Sequence, residues 1–294
     1  MDKISYKQAC AVAVNVFASG FKHIERGRNN WVFQKGEQIL TIPRHERVKS
    51  YELRVAASRL LESHGIPVAE IIGHSPQTTD APEYLIVRKV AGEHINFESI
   101  GKAERKKIHI SAGEILARIH EINIEGYGRL DGKLKGQSPS WTKFADEFFE
   151  ESLRRVSAVP NLREKYGKIL QGEYEQGRNI LASNTDQSLL HADFHPRNLL
   201  FDNGKVVAVL DLDIVTSGDT AWDTGHYCHT FNVDRSSGIR AFREGYGNPI
   251  NQEAERLYSL MIWTRKIGSQ ARQRPEALKE TLPELERILA RREW

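Results

Sequence analysis

Residues Leu189–Asp223 read LLHADFHPRNLLFDNGKVVAVLDLDIVTSGDTAWD. A short apolar strand ends in His191, and a polar loop carrying Asp193, His195 and Asn198 follows. A tight hairpin comes next: Leu199 to Phe201, the turn Asp202-Asn203-Gly204, then Val206 to Leu210. Asn-Gly between two apolar runs is among the strongest short-range hairpin signals. Asp211 and Asp213 come directly off the end of that hairpin. Two runs of buried-type residues are therefore expected to deliver carboxylates and a carboxamide to one end of a small sheet. An ionised carboxylate is costly to bury unless it is paired, hydrogen-bonded or on a metal. Several together at strand ends point to a cation site.

Mg²⁺-dependent phosphoryl transfer needs such a set. One carboxylate accepts or orients the proton of the attacking hydroxyl, while a carboxamide and a second carboxylate hold the Mg²⁺ that neutralises the nucleotide phosphates. The kinase catalytic loop supplies these groups as H-x-D-x-x-x-x-N, and His191, Asp193 and Asn198 fit that spacing, with Asp211 on the strand beyond the hairpin. The runs H-A-D-F-H-P-R-N, V-L-D-L-D and G-D-T-A-W-D resemble the catalytic segment of the aminoglycoside phosphotransferases, the protein-kinase-like small-molecule kinases. The resemblance extends from about Gly27 to about Tyr227. It implies an α+β, bilobal protein-kinase-like fold. A small antiparallel-sheet N-lobe is expected over residues 1–90 and a mainly helical C-lobe over 91–294. It also implies transfer of the γ-phosphate of ATP, with GTP open as an alternative, to the hydroxyl of a small molecule of the aminoglycoside type, with an amino alcohol, homoserine or a macrolide as alternative acceptors. Asp193 is then the catalytic base, with Asn198 and Asp211 as Mg²⁺ ligands. His191 props the loop, His195 faces the acceptor, Asp213 stands near metal or substrate, and Asp219 or Asp223 braces the loop. For Asp223 the expected role is a carboxylate that accepts backbone N–H groups.

The 294 residues, 39% hydrophobic and 28% charged, belong to an ordinary globular protein. A net charge of +3 without any Lys/Arg block argues against a nucleic-acid partner. Two cysteines, Cys10 and Cys228, are expected as reduced thiols in a cytoplasmic protein. No run of about 18 apolar residues signals a membrane span, and MDKISYKQ has no leader character. The expected state is a monomer or weak dimer.

Near the N-terminus, Ser5 and Gln8 fit a capping box opening a helix stopped by Gly20. The next segment, FKHIERGRNNWVFQKGEQILTIPR, divides into three short strands with turns at Gly27-Arg28-Asn29-Asn30 and Lys35-Gly36. By resemblance the first turn, with Gly27 and Asn30, covers nucleotide phosphates through backbone N–H groups; by turn chemistry alone it is an ordinary hairpin turn. The family places a basic residue in the third strand, where this chain has Thr41. Arg44 is the obvious substitute and Lys49 a second, with a solvated surface role for Arg44 as the alternative. Lys49 to His64 is expected to be helical, and Glu52 is its candidate for the ion pair that kinases make with the strand cation. The strand Tyr84 to Val90 leads to a hinge placed by resemblance at Arg88 to Gly92, where Arg88 and Val90 would meet the nucleotide base through backbone.

Ala103 to Ile122 has helical apolar spacing and ends in His120, expected to pack and hydrogen-bond. The loop Glu125 to Pro139 is long and Gly-rich. The helix after Ser140 carries the acidic run Asp146, Glu147, Glu150 and Glu151, which either meets a polycationic substrate or forms a solvated face. Further helices are expected at Leu162–Ser183, Ala221–Phe231, Ser237–Tyr246, Gln252–Gln270 and Glu276–Arg292.

Other classes stay open. His191-x-Asp193-x-His195 places three ligand types at alternate positions, as a Zn²⁺ or Mn²⁺ hydrolase would. Thr41 motivates a nucleotide-binding pseudokinase. His226 and His229 lie at i, i+3 on the expected helix and are accounted for as core or surface histidines.

Overall fold

The computed structural model describes residues 3–24, 30–44, 51–78, 81–182, 186–230 and 237–290. It has the bilobal α+β fold implied by the catalytic segment. One compact unit comprises Met1–Ile95, Gly132–Leu134 and Arg197–Asp213; the other comprises Asn96–Asp131, Lys135–Pro196 and Ile214–Trp294.

In the first unit, α1 (Tyr6–Phe17) opens on the capping box, with Ser5 N–H donating to the Gln8 side chain at 2.9 Å. It ends at Phe17 rather than running to Gly20, because Ala18 turns to φ 59° and Lys35 Nζ caps the Phe17 carbonyl at 2.6 Å. β1 (Lys22–Ile24), β2 (Asn30–Lys35) and β3 (Gln38–Pro43) form the expected meander. α2 (Glu52–Ser63) follows, and β4 (Ile71–Ser75) and β5 (Tyr84–Arg88) complete an antiparallel sheet of order β1-β2-β3-β5-β4. Phe33, Leu40 and Ile42 are completely buried and pack with Ala13 and Phe17 of α1, so alternate strand residues and one helix face share a core. The hairpin β9 (Leu199–Asp202) and β10 (Lys205–Val209) belongs to this unit. Its turn has Asn203 at φ 49° and Gly204 at φ 78°, as a type I′ turn requires. The hairpin is tied in place by reciprocal backbone bonds between Glu93 and Phe201 at 2.9 Å. A Cβ on Gly92 would stand 2.5 Å from Val207, so only glycine fits there.

In the second unit come α3 (Lys102–His120), β6 (Tyr127–Leu130), β7 (Gly136–Ser138), α4 (Trp141–Ser157), α5 (Pro160–Ala182) and β8 (Ser188–Leu190). They are followed by β11 (Thr216–Gly218), α6 (Ala221–Thr230), α7 (Ser237–Tyr246), α8 (Gln252–Gln273) and α9 (Leu278–Ala290). A four-stranded sheet of order β7-β6-β11-β8 sits beside the helices. α3 and α7 cross with almost no gap: a Cβ on Gly245 would lie 2.0 Å from the Ile110 carbonyl oxygen. Trp141, Phe149, Tyr258, Met261 and Ile267 form the centre of the helical core.

Three sequence expectations are corrected. The 125–139 segment is a β-hairpin, not a loop: Gly126 and Gly128 take φ 83° and 75°, and β6 then pairs with β11. The strand ending at His191 and the hairpin 199–209 do not share a sheet; β8 pairs with β11 and β9 only with β10. The helices expected from Leu162, from Glu276 and to Gln270 instead begin at Pro160 and Leu278 and end at Gln273. Among the described residues no helix is long and apolar enough to cross a membrane.

Candidate active site

β8 is buried throughout, with two leucines after Ser188, and its end launches the polar loop 191–195. Ala192 takes φ 66°, a left-handed conformation that costs an L-residue about 1–2 kcal/mol and persists where the surroundings over-determine it. The determinant is Asp223, at the start of α6. Its buried carboxylate accepts the backbone N–H of His191 at 2.6 Å and of Ala192 at 2.8 Å. His120 lies 3.4 Å from Asp223 Oδ2 through Nε2, and its Nδ1 meets the Tyr246 hydroxyl at 2.8 Å. A buried chain Tyr246–His120–Asp223 thus anchors the loop from beneath. His191 holds it from within: its Nδ1 accepts the Asp193 N–H at 3.2 Å.

The Asp193 side chain is a third exposed. His195 Nε2 and His226 Nε2 approach its Oδ1 to 3.4 and 3.5 Å. Burial pushes the Asp193 carboxyl up, but the His195 bond and the fields of His226, His195 and His191 outweigh it and hold the group well below the usual carboxylate range. His226 is pushed down to about 4 by burial, against the pull of Asp193, so at neutral pH it faces Asp193 as an uncharged imidazole.

Asp219 is built into the core. Its Oδ1 accepts the Ala221 N–H at 2.9 Å and its Oδ2 the Tyr258 hydroxyl at 2.7 Å, while Trp141 Nε1 donates to that hydroxyl at 2.6 Å. Burial raises its pKa, and nearby Asp186 adds to the rise. Asp219 and Asp186 line a polar cavity of about 250 Å³ with Thr220, Thr224 and Asn251.

Asn198 and Asp211 stand at the open end of the hairpin, where Leu210 N–H donates to the Asn198 carbonyl at 2.8 Å. Asp211 takes φ 61°, a region Asp tolerates better than most residues. A carboxamide and a carboxylate, both hard oxygen donors, fit Mg²⁺. Asp213 Oδ1 lies 3.8 Å from Arg54 of α2.

Of the residues expected to meet nucleotide, Gly27 lies outside the described residues, as does Lys49. Asn30 accepts the Tyr51 hydroxyl at 3.0 Å through Oδ1 and Arg44 Nε at 3.3 Å through its carbonyl. Arg44 stacks over the Trp31 ring at 4.0 Å, so its guanidinium is packed rather than solvated. Thr41 is buried and donates to the Leu85 carbonyl at 3.3 Å. Glu52 is the exposed first residue of α2. Arg88 pairs with Glu70 at 2.6 Å through its side chain, and its backbone N–H donates to the Glu70 carbonyl. Lys89 N–H bonds Glu37 and Glu93 bonds Phe201, and Val90 lies on the stretch between them.

Two residues near Asp193 escaped the sequence reading. His226 reads in the sequence as an ordinary core or surface histidine, although it lies one helical turn beyond Asp223 and so shares the face beneath the loop. Ala192 gave no signal. The acidic run of α4 is largely matched within the chain. Asp146 takes Arg178 and Tyr174, Glu147 takes Lys143, and Glu151 takes Arg265 and Arg155. Among the described residues no group of three or more His, Cys, Asp or Glu side chains is arranged as a metal-ligand set.

The model of the phosphotransferase enzyme family matches residues 20–259. Human acyl-CoA dehydrogenase family member 11 is 26% identical over 251 residues, which cover 80% of this chain and 30% of that protein. This chain therefore spans less than a third of that relative. The homoserine kinase of Polaromonas naphthalenivorans (strain CJ2) is 23% identical over 213 residues, 69% of this chain and 61% of that one. The apo form of a thermostable mutant of aminoglycoside phosphotransferase APH(4)-Ia superposes with a TM-score of 0.75 at 16% identity, covering 95% of this chain and 97% of that one. The loop and hairpin motifs lie inside a match that takes in most of the chain, and the chain belongs to the phosphotransferase enzyme family.

Proposed function

We propose that the protein transfers the γ-phosphoryl group of ATP to a hydroxyl of a small molecule, with Asp193 receiving or orienting the hydroxyl proton. The observation that carries this reading is the setting of Asp193: ionised, partly open to solvent, and mounted on a loop whose two preceding backbone N–H groups are fixed by Asp223. A base of low intrinsic pKa serves mainly to orient, which suits a loose transition state that needs little deprotonation before transfer. Asn198 and Asp211 are the proposed holders of Mg²⁺, which supplies charge neutralisation of the phosphates when bound. Val90 is proposed to meet the base through its main chain, with Gly27 and Asn30 over the phosphates. Arg44 holds Asn30 through its main-chain carbonyl.

The acceptor class follows by analogy from the family and is an aminoglycoside-type alcohol. One observation favours a second reading, a less cationic acceptor such as an amino alcohol or a hydroxy amino acid. Three of the four carboxylates in the α4 run, Asp146, Glu147 and Glu151, are already paired to Arg178, Lys143, Arg265 and Arg155. ATP consumption by purified protein with Mg²⁺ against aminoglycosides, amino alcohols and homoserine separates the two. Stimulation confined to one group names the acceptor; no stimulation by any, with ATP bound, rejects both acceptor classes. Asp211→Ala is expected to abolish the Mg²⁺-dependent part of nucleotide binding, measured by calorimetry with and without EDTA. Equal affinities in both conditions for wild type would remove Asp211 from the metal role.

A further inference from the structure

Asp193 Oδ1 is the meeting point of two imidazoles from different elements. His195 reaches it from the catalytic loop and His226 from α6, at 3.4 and 3.5 Å. The rings stand edge to face, 5.8 Å apart at 83°. The carboxylate torsion of an aspartate is soft and broadly populated. Two N–H donors converging on one oxygen remove that freedom. Resting on the kinase reading above, we propose that His226 is a positioning residue for Asp193: with His195 it pins Oδ1, so that Oδ2 is the oxygen presented to the acceptor hydroxyl.

The role demands a particular protonation state. His226 is fully buried, and the groups whose fields reach it are Asp193, His195, Asp223 and Lys266. Burial keeps it uncharged at neutral pH, so a donor role at Nε2 requires the Nε2–H tautomer. An imidazolium there would instead neutralise Asp193 and weaken it as a proton acceptor. The neutral ring supplies orientation without that penalty. A misplacement of about 1 Å in a reacting group is enough to cost on the order of 100-fold in rate, which sets the scale of the expected effect.

The test begins with the wild-type protein, whose His226 ring nitrogens are read by ¹⁵N NMR at neutral pH. A neutral ring protonated on Nε2 is expected; the Nδ1–H tautomer or an imidazolium would overturn the proposal without any variant being made. His226→Phe then keeps an aromatic volume and removes the donor, and His226→Gln returns an N–H near the same place. His226→Phe is expected to lower kcat about 10- to 100-fold, leave KM for ATP within about twofold, and move the acid limb of kcat/KM to higher pH. His226→Gln is expected to recover kcat to within a few-fold. The Asp193 carboxyl, followed by ¹³C NMR, should titrate at higher pH in His226→Phe than in wild type. A folded His226→Phe with unchanged kcat and unchanged Asp193 titration would show His226 to be packing alone. Should wild type phosphorylate no acceptor, the kinase reading fails, while the tautomer and the Asp193 titration still decide whether His226 holds the carboxylate.

Discussion

Asp223 and Ala192 define the residue scale, because a strained backbone position exists only where something holds it. Asp223→Ala leaves the His191 and Ala192 N–H groups without their carboxylate acceptor. A buried donor without a partner costs about 1–3 kcal/mol. The melting temperature is therefore expected to fall by several degrees and phosphotransfer to drop sharply, both measurable on the same preparation. Ala192 gives the complementary test. At φ 66°, Ala192→Gly relieves strain and should leave the melting temperature unchanged or raised. Ala192→Val puts a β-branched residue in the left-handed region and should lower it. If the glycine variant were the less stable of the two, the strain argument would be wrong. Neither residue's part was fully visible in the sequence. Asp223 was expected to bind backbone N–H groups from its place in G-D-T-A-W-D, whereas a left-handed alanine has no compositional signature. The i, i+3 spacing of His226 and His229 is equally ordinary in a core helix, so His226 emerged only once α6 was seen to run beneath the loop.

At the scale of elements, α4, α5 and α8 are joined by buried aromatics and by carboxylates that reach across. Glu151 of α4 accepts Arg265 of α8 at 2.9 Å and Arg155 of its own helix at 2.5 Å. These guanidinium bonds outweigh the effect of burial and bring the Glu151 pKa down to about 2 from its ordinary 4.5. A carboxyl depressed in the fold binds its proton more readily when unfolded, so it contributes stability at neutral pH. That contribution is lost as pH falls from about 4.5 towards 2. Glu151→Gln is expected to flatten melting temperature against pH in that window, and a slope as steep as wild type would locate the acid sensitivity elsewhere. The hairpin 199–209 and the Ser5 cap were legible because Asn-Gly and Ser-x-x-Gln act through local backbone chemistry. β6, β7 and β11 were not. Each is four residues or fewer, and their pairing joins Arg129 to Thr216 across a long stretch of chain that periodicity does not sample. The same limit explains why β8 and the hairpin were assigned to one sheet: both are apolar runs, and partner choice is a tertiary property.

At the scale of the molecule, Thr41 stands in the third strand where the family resemblance implies a basic residue, and it is buried and donates to a strand carbonyl. The His226 side chain, held near 4 by burial against an ordinary 6.5, adds a whole-protein consequence. Because the unfolded chain takes up that proton first, stability declines as pH drops from about 6.5 towards 4, before Glu151 begins to titrate. The central claim is that phosphoryl transfer depends on Asp193 as the group that receives or orients the acceptor hydroxyl proton. Its most direct test is Mg²⁺-dependent, acceptor-stimulated ATP consumption by wild type and Asp193→Ala side by side, with nucleotide affinity measured on both. The account predicts turnover in wild type, loss of at least about 100-fold in the variant, and nucleotide affinity within a few-fold. Turnover retained by a folded Asp193→Ala would contradict it.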